Sequence, residues 1–237
     1  MRRFCFLILV LVLLATAIAC GRSERNSVAN DNLAAKYLES GKARYAKRDY
    51  DEAIADFRKA IELDPRLPDP YDNRGTARAS KGDQDGAITD YTKAIELDPK
   101  YASAYYNRGN ARYAKKEYDG AIVDYTKAIE VNTPDAAAYN GRGNARIAKG
   151  DHEGAITDYT KATELDPKYV NAYYNRGKAW LAQGDHDRAT ADFTKAIELD
   201  NRDSGAYYNR GVARTVKGDI NGASADYDKA TEVGRRR

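Results

Sequence analysis

One unit of 34 residues, copied six times without insertion or deletion, constrains this chain more than any other feature. Gly41, Gly75, Gly109, Gly143, Gly177 and Gly211 follow one another at that interval. Setting the copies in register on this glycine divides the chain into residues 34–67, 68–101, 102–135, 136–169, 170–203 and 204–237. A fixed period of about 20–50 residues signals an array in which each unit buries its apolar face against its neighbours.

With each copy numbered from 1 to 34 and the glycine at column 8, roles can be read by column. Column 4 is always Tyr, columns 10, 20 and 27 are always Ala, and column 24 is Phe or Tyr. Columns 4, 8 and 11 share one helical face, as do 20, 24 and 27, so each unit predicts two helices. The turn between them carries Gly or a charged residue at column 15. An Asp or Glu at column 16 is positioned to cap the second helix. Asp64-Pro65, Asp98-Pro99 and Asp166-Pro167 mark helix exits, because a residue before Pro resists the α conformation.

An aromatic-x-x-x-Gly element followed by Ala, Phe/Tyr, Ala and Pro at these columns resembles the tetratricopeptide repeat family, over all of residues 34–237. The resemblance implies an all-α fold, a right-handed superhelical solenoid of six helix-turn-helix repeats.

Residues 1–19 begin with Arg2 and Arg3, continue through an apolar run from Phe4 to Leu14 and end in small residues. That is the three-part pattern of a signal peptide, and the run is short for a membrane span of about 20 residues. Ala17-Ile18-Ala19-Cys20-Gly21 resembles a bacterial lipobox, with Ala17 where Leu is usual. The resemblance implies a lipidated Cys20 and anchorage in the bacterial envelope. Gly21, in place of the Asp that retains lipoproteins in the inner membrane, implies the outer membrane, facing the periplasm. The alternative is an ordinary cleavage after Ala19 that leaves a secreted chain with a free Cys20. Residues 20–33 read as a lipidated Cys and a flexible polar tether.

Cys5 lies in the leader, so the mature chain keeps one Cys, which excludes an internal disulfide or a dithiol centre. Removing Arg2 and Arg3 from 39 basic residues leaves 37 against 36 acidic ones, a net charge of +1. The signs are interleaved, which excludes the basic stripe that nucleic-acid binding needs.

Charge recurs inside the repeat as well. Column 7 is Arg in five units (Arg74, Arg108, Arg142, Arg176, Arg210), and column 11 is Arg in five (Arg44, Arg78, Arg112, Arg146, Arg214). Column 23 is Asp in all six. We expect each Asp to meet an Arg across the helix pair, in a ladder that fixes register. Solvated charges are the competing expectation.

In the family the concave groove is lined by columns 2, 5, 9 and 12, with column 6 at its edge. Here these columns supply Tyr106, Asn107, Asn110, Tyr113, Asn140, Asn144, Tyr174, Asn175, Lys178 and Tyr208. Aromatic rings beside amides suit extended peptides. The basic pair of the family's carboxylate clamp is missing. His152 and His186 both fall at column 17 and read as turn residues. No catalytic, metal or cofactor set can be assembled, so an enzyme is not expected. The expected function is an interaction scaffold of the bacterial envelope that binds extended or helical segments of envelope proteins. A cell-wall glycan-binding lipoprotein and a self-stacking structural protein, associating through the C-terminal repeat, are the alternatives.

Overall fold

The computed structural model describes residues 30–131 and 135–235. The leader, Cys20 and most of the tether lie outside the described residues. Within them all regular structure is α-helical, and it forms two compact units, one ending at Pro99 and one beginning at Lys100.

The first unit holds α1 (30–46), α2 (Tyr50–Leu63), α3 (Pro68–Ser80) and α4 (Gln84–Leu97). The second holds α5 (Ala102–Ala114), α6 (Tyr118–Val131), α7 (Ala136–Ala148), α8 (His152–Leu165), α9 (Val170–Gln183), α10 (His186–Leu199), α11 (Ser204–Val216) and α12 (Ile220–Arg235). Each repeat thus places columns 1–13 on one helix and columns 17–30 on the next. In α1 the helix also takes in residues 30–33, which composition had assigned to the tether. Asn30, Asp31 and Asn32 favour a helix N-terminus, where acidic and amide side chains meet unsatisfied N–H groups.

Local chemistry ends each helix where the columns predict. Asp83, Asp151, Asp185 and Asp219 accept a hydrogen bond from the amide three residues on. Asp49, at the same column, makes no such bond. Column 15 takes up a left-handed backbone in every repeat: Gly82, Gly150, Gly184 and Gly218 lie at φ 80–90°, but Arg48 and Lys116 stand there at φ 68° and 64°. Before the prolines, Asp64, Asp98 and Asp166 are extended. Asp200 has the same conformation before Asn201, so a following proline is not required for it.

The core is made of small residues and rings. Ala at columns 10, 20 and 27 is buried throughout most repeats, and Phe57, Tyr91, Tyr125, Tyr159 and Phe193 at column 24 are nearly inaccessible. Each column-24 ring lies against the column-8 glycine of its own repeat. A Cβ on Gly109 would come within 2.9 Å of Tyr125, and one on Gly143 within 2.6 Å of Tyr159. The glycine is therefore a requirement of close helix approach.

The Asp–Arg ladder is present in both units. Asp124 is fully buried; Arg108 donates to its two carboxylate oxygens from Nε (3.0 Å) and Nη2 (2.7 Å), and Arg112 Nη1 adds a third bond at 2.7 Å. Asp90, Asp158 and Asp226 repeat this arrangement with Arg74 and Arg78, Arg142 and Arg146, and Arg210 and Arg214. The solvated alternative fails because these carboxylates are only 0–3 % exposed. In the fifth repeat Trp180 replaces the second arginine, and Asp192 pairs with Arg176 alone. In the first, Ser40 donates to Asp56 at 2.6 Å beside Arg44. Each column-7 guanidinium also covers the column-4 Tyr ring at 5.4–5.6 Å, a cation–π distance. Arg142, Arg176 and Arg210 reach back to Thr126, Thr160 and Thr194 of the preceding repeat. The same arginine thus ties two helices and two repeats.

Candidate functional site

In the second unit the first helices touch one another in sequence: α5 meets α7, α7 meets α9, and α9 meets α11. They form one layer, and the columns expected to line a groove lie on it. Two adjoining hollows open there.

The first, about 360 Å³, is lined by Tyr113, Asn144, Ile147, His152, Tyr159, Asn175, Lys178 and two alanines. The second, wider and shallower, is lined by Tyr174, Lys178, Ser204, Gly205, Tyr208, Asn209, Tyr227 and neighbours. Lys178 belongs to both. The structure therefore brings together Tyr113, Asn144, Asn175 and Lys178, and joins them through Lys178 to Tyr174 and Tyr208. Tyr106, Asn107 and Asn110 lie along α5, outside both hollows. Asn140 is buried and cannot serve as an open contact; its Oδ1 accepts from Asn175 of the next repeat at 3.1 Å.

The amides are oriented by internal bonds. Tyr159 Oη donates to Asn144 Oδ1 at 2.8 Å, and Asn175 Nδ2 donates to the same oxygen at 3.1 Å. Tyr125 Oη donates to Asn110 Oδ1 at 2.7 Å. With their carbonyl oxygens already accepting, Asn110 and Asn144 keep their N–H groups to donate. Asn209 Nδ2 donates to Tyr174 Oη at 3.2 Å, and Asn107 Nδ2 donates to Ser103 Oγ at 3.3 Å.

The rings are held by neighbours. Tyr106, Tyr174 and Tyr208 rest on Tyr125, Phe193 and Tyr227, with centroids 5.9, 5.9 and 5.6 Å apart. Tyr113 leans on Tyr118 at 5.5 Å. Burial raises the pKa of the Tyr174 phenol, as does the nearby Asp203 carboxylate, while the Asn209 bond works the other way. Burial also holds the Tyr159 phenol well above its ordinary range, so both are neutral donor–acceptors at physiological pH. Lys178 stands over the Tyr174 ring at 5.7 Å.

Lining residues such as His152, Tyr159 and Tyr227 escaped column reasoning because they belong to second helices. Column 24 reads as core, and column 17 as turn; only the packing shows that both reach the gap between first helices. Nδ1 of His152 and of His186 is buried without a hydrogen-bond partner. Among the described residues no group of three or more His, Cys, Asp or Glu side chains could hold a metal ion. No helix there is long and apolar enough to cross a membrane.

A TPR repeat model matches residues 41–82, 75–116 and 143–184, and a Tetratricopeptide repeat model matches 102–132 and 170–203. A crystal structure of MamA protein is 30% identical, covering 72% of this chain and 93% of that one, with a TM-score of 0.63. YrrB, described as a TPR protein with an unusual peptide-binding site, is 28% identical over 75% of this chain and 91% of its own, with a TM-score of 0.64. Pseudomonas aeruginosa pilF shares the fold, with a TM-score of 0.76 over 88% of this chain and 100% of its own at 15% identity. No curated protein matches the chain. Helix pairs at a period of 34 residues, the glycine–ring contact in each pair and these matches together place the chain in the tetratricopeptide repeat family.

Proposed function

We propose that this chain is a lipid-anchored scaffold of the bacterial envelope, which holds extended segments of partner proteins against the inner layer of its first helices. The observation that carries the reading is the pair of hollows joined at Lys178, with Tyr113, Tyr174 and Tyr208 as walls and the Asn144 amide beside the junction. An extended peptide offers a carbonyl or side chain every about 3.3 Å, and a row of ring and amide sites one helix apart can receive several in turn. Tyr supplies contact area with little conformational entropy to lose, which makes it a frequent hot spot. YrrB, with its peptide-binding site, lends the reading support by likeness. The envelope location rests on the leader and on Cys20-Gly21; metabolic labelling with a palmitate analogue, lost in Cys20→Ala, would test it.

The groove itself is tested by crosslinking capture from envelope extract, comparing the wild-type chain with the triple change Tyr106→Ala, Tyr174→Ala and Tyr208→Ala. Proteins lost from a still-helical triple variant place binding on this face. Undiminished capture moves it elsewhere and overturns the reading.

A further inference from the structure

Lys178 stands out from the pattern that explains its neighbours. In three repeats the column-9 residue serves the column-24 ring: Thr76, Asn110 and Asn144 each accept from the tyrosine hydroxyl of their own repeat. In the fifth repeat that ring is Phe193, which has no hydroxyl to satisfy, and column 9 is released from internal duty. The first repeat makes the same exchange, with Phe57 and Lys42, but there Glu39 neutralises the ammonium at 2.9 Å. The residue three before Lys178 is Asn175, which carries no charge. Among columns 2, 5, 6, 9 and 12 of the third to sixth repeats, Lys178 is the single charged side chain. Among the described residues it makes no ion pair; its ammonium meets only the Tyr174 ring. The nearby Asp203 is engaged elsewhere, accepting from the Gly205 and Ala206 amides at the start of α11. Beside this cation, lining the same hollow, the Asn144 carbonyl already accepts twice, which leaves its N–H groups to donate.

A cation that is the single charged residue lining the two hollows is complementary to one negative charge, and a charge-assisted hydrogen bond is stronger than a neutral one. Resting on the groove reading above, we propose that Lys178 selects partner segments carrying a single Asp or Glu side chain, seated at the junction of the two hollows and flanked by bulky residues that fill them. The occupant is thus an extended segment of a partner protein with the order bulky–acidic–bulky. The hollows take the flanking groups, and Lys178 with the Asn144 amide takes the carboxylate.

The test is selection from a random linear peptide library on the full-length chain in detergent, run in parallel on wild type, Lys178→Ala, Lys178→Glu and the triple tyrosine variant. Lys178 is exposed, so its variants keep the fold, which circular dichroism checks. Wild type is expected to enrich one acidic residue between large side chains. Those peptides should bind Lys178→Ala about tenfold more weakly, the loss expected for a hydrogen bond to a charged group, and should weaken with added salt. Lys178→Glu should enrich a basic residue at the same position. Acid-free peptides that compete equally for wild type and Lys178→Ala, and are lost in the tyrosine variant, overturn the acidic selection while leaving the groove reading intact. Peptides that bind all four proteins alike, or the absence of any enrichment, overturn both.

Discussion

At the scale of single residues, six aspartates hold the repeats in register, and each is enclosed by the groups that pay for its burial. Asp124, fully buried, receives three guanidinium bonds, from Arg108 and Arg112, whose side chains remain 13% and 26% exposed. Removing one partner from a buried pair costs about 3–5 kcal/mol because the other charge is left uncompensated. We therefore expect Asp124→Ala to lower the unfolding free energy by about that amount, measured by urea denaturation. A loss within the about 0–1 kcal/mol of an exposed pair would overturn the buried reading. A gain is also available. Lys116 occupies a left-handed backbone at φ 64° that costs a non-glycine residue about 1–2 kcal/mol, while four other repeats have Gly there. Lys116→Gly should raise stability by about 1 kcal/mol, less the entropy that Gly adds to the unfolded chain; a fall in the urea midpoint would count against strain at that turn.

At the scale of the helix pair, the glycine at column 8 sets how near the partners come. Ala is normally favoured over Gly inside a helix by about 1 kcal/mol, so an exposed site would gain from the change. In α7 the added methyl of Gly143→Ala would lie 2.6 Å from the buried Tyr159 ring, and overpacking a dense core costs about 1–3 kcal/mol. The expected outcome is net destabilisation, restored in part by a second change that shrinks the ring, Tyr159→Leu. Helix pairing and the caps at Asp83, Asp151, Asp185 and Asp219 were legible in the sequence because they depend on spacing within one repeat. So was the existence of the ladder, whose partners lie 12 and 16 residues apart. What was not legible depends on the neighbouring repeat. Asn140 reads as a groove residue by column, but Asn175 of the next repeat bonds to it and it is buried. His152 and Tyr159 read as turn and core, yet they line a hollow that only stacked first helices create.

At the scale of the molecule, buried phenols couple the fold to alkaline pH. Burial raises the pKa of Tyr91, Tyr125 and Tyr159 well above the ordinary value of about 10. Below that value the phenols are protonated in both states, and the stability is fully present. Above it the unfolded chain loses protons that the folded chain retains, so each phenol removes about 1.4 kcal/mol per pH unit until its folded pKa is reached. Urea midpoints should therefore fall steeply above pH about 10, and less steeply in a chain with Tyr91→Phe, Tyr125→Phe and Tyr159→Phe. An unchanged slope in that chain would show that other groups cause the effect.

The alanine-and-ring core has a thermal consequence. Heat capacity rises on unfolding chiefly because apolar surface meets water, and exposed polar surface offsets it. A core that relies on buried Ala, ladder carboxylates and phenols, with few Leu or Ile side chains, uncovers less apolar surface per residue than an aliphatic one. Calorimetry should accordingly give a heat-capacity increment below the usual about 12–15 cal/mol/K per residue, and with it a shallow stability curve. Such a chain would keep nearly the same folding free energy in the cold as in the warm.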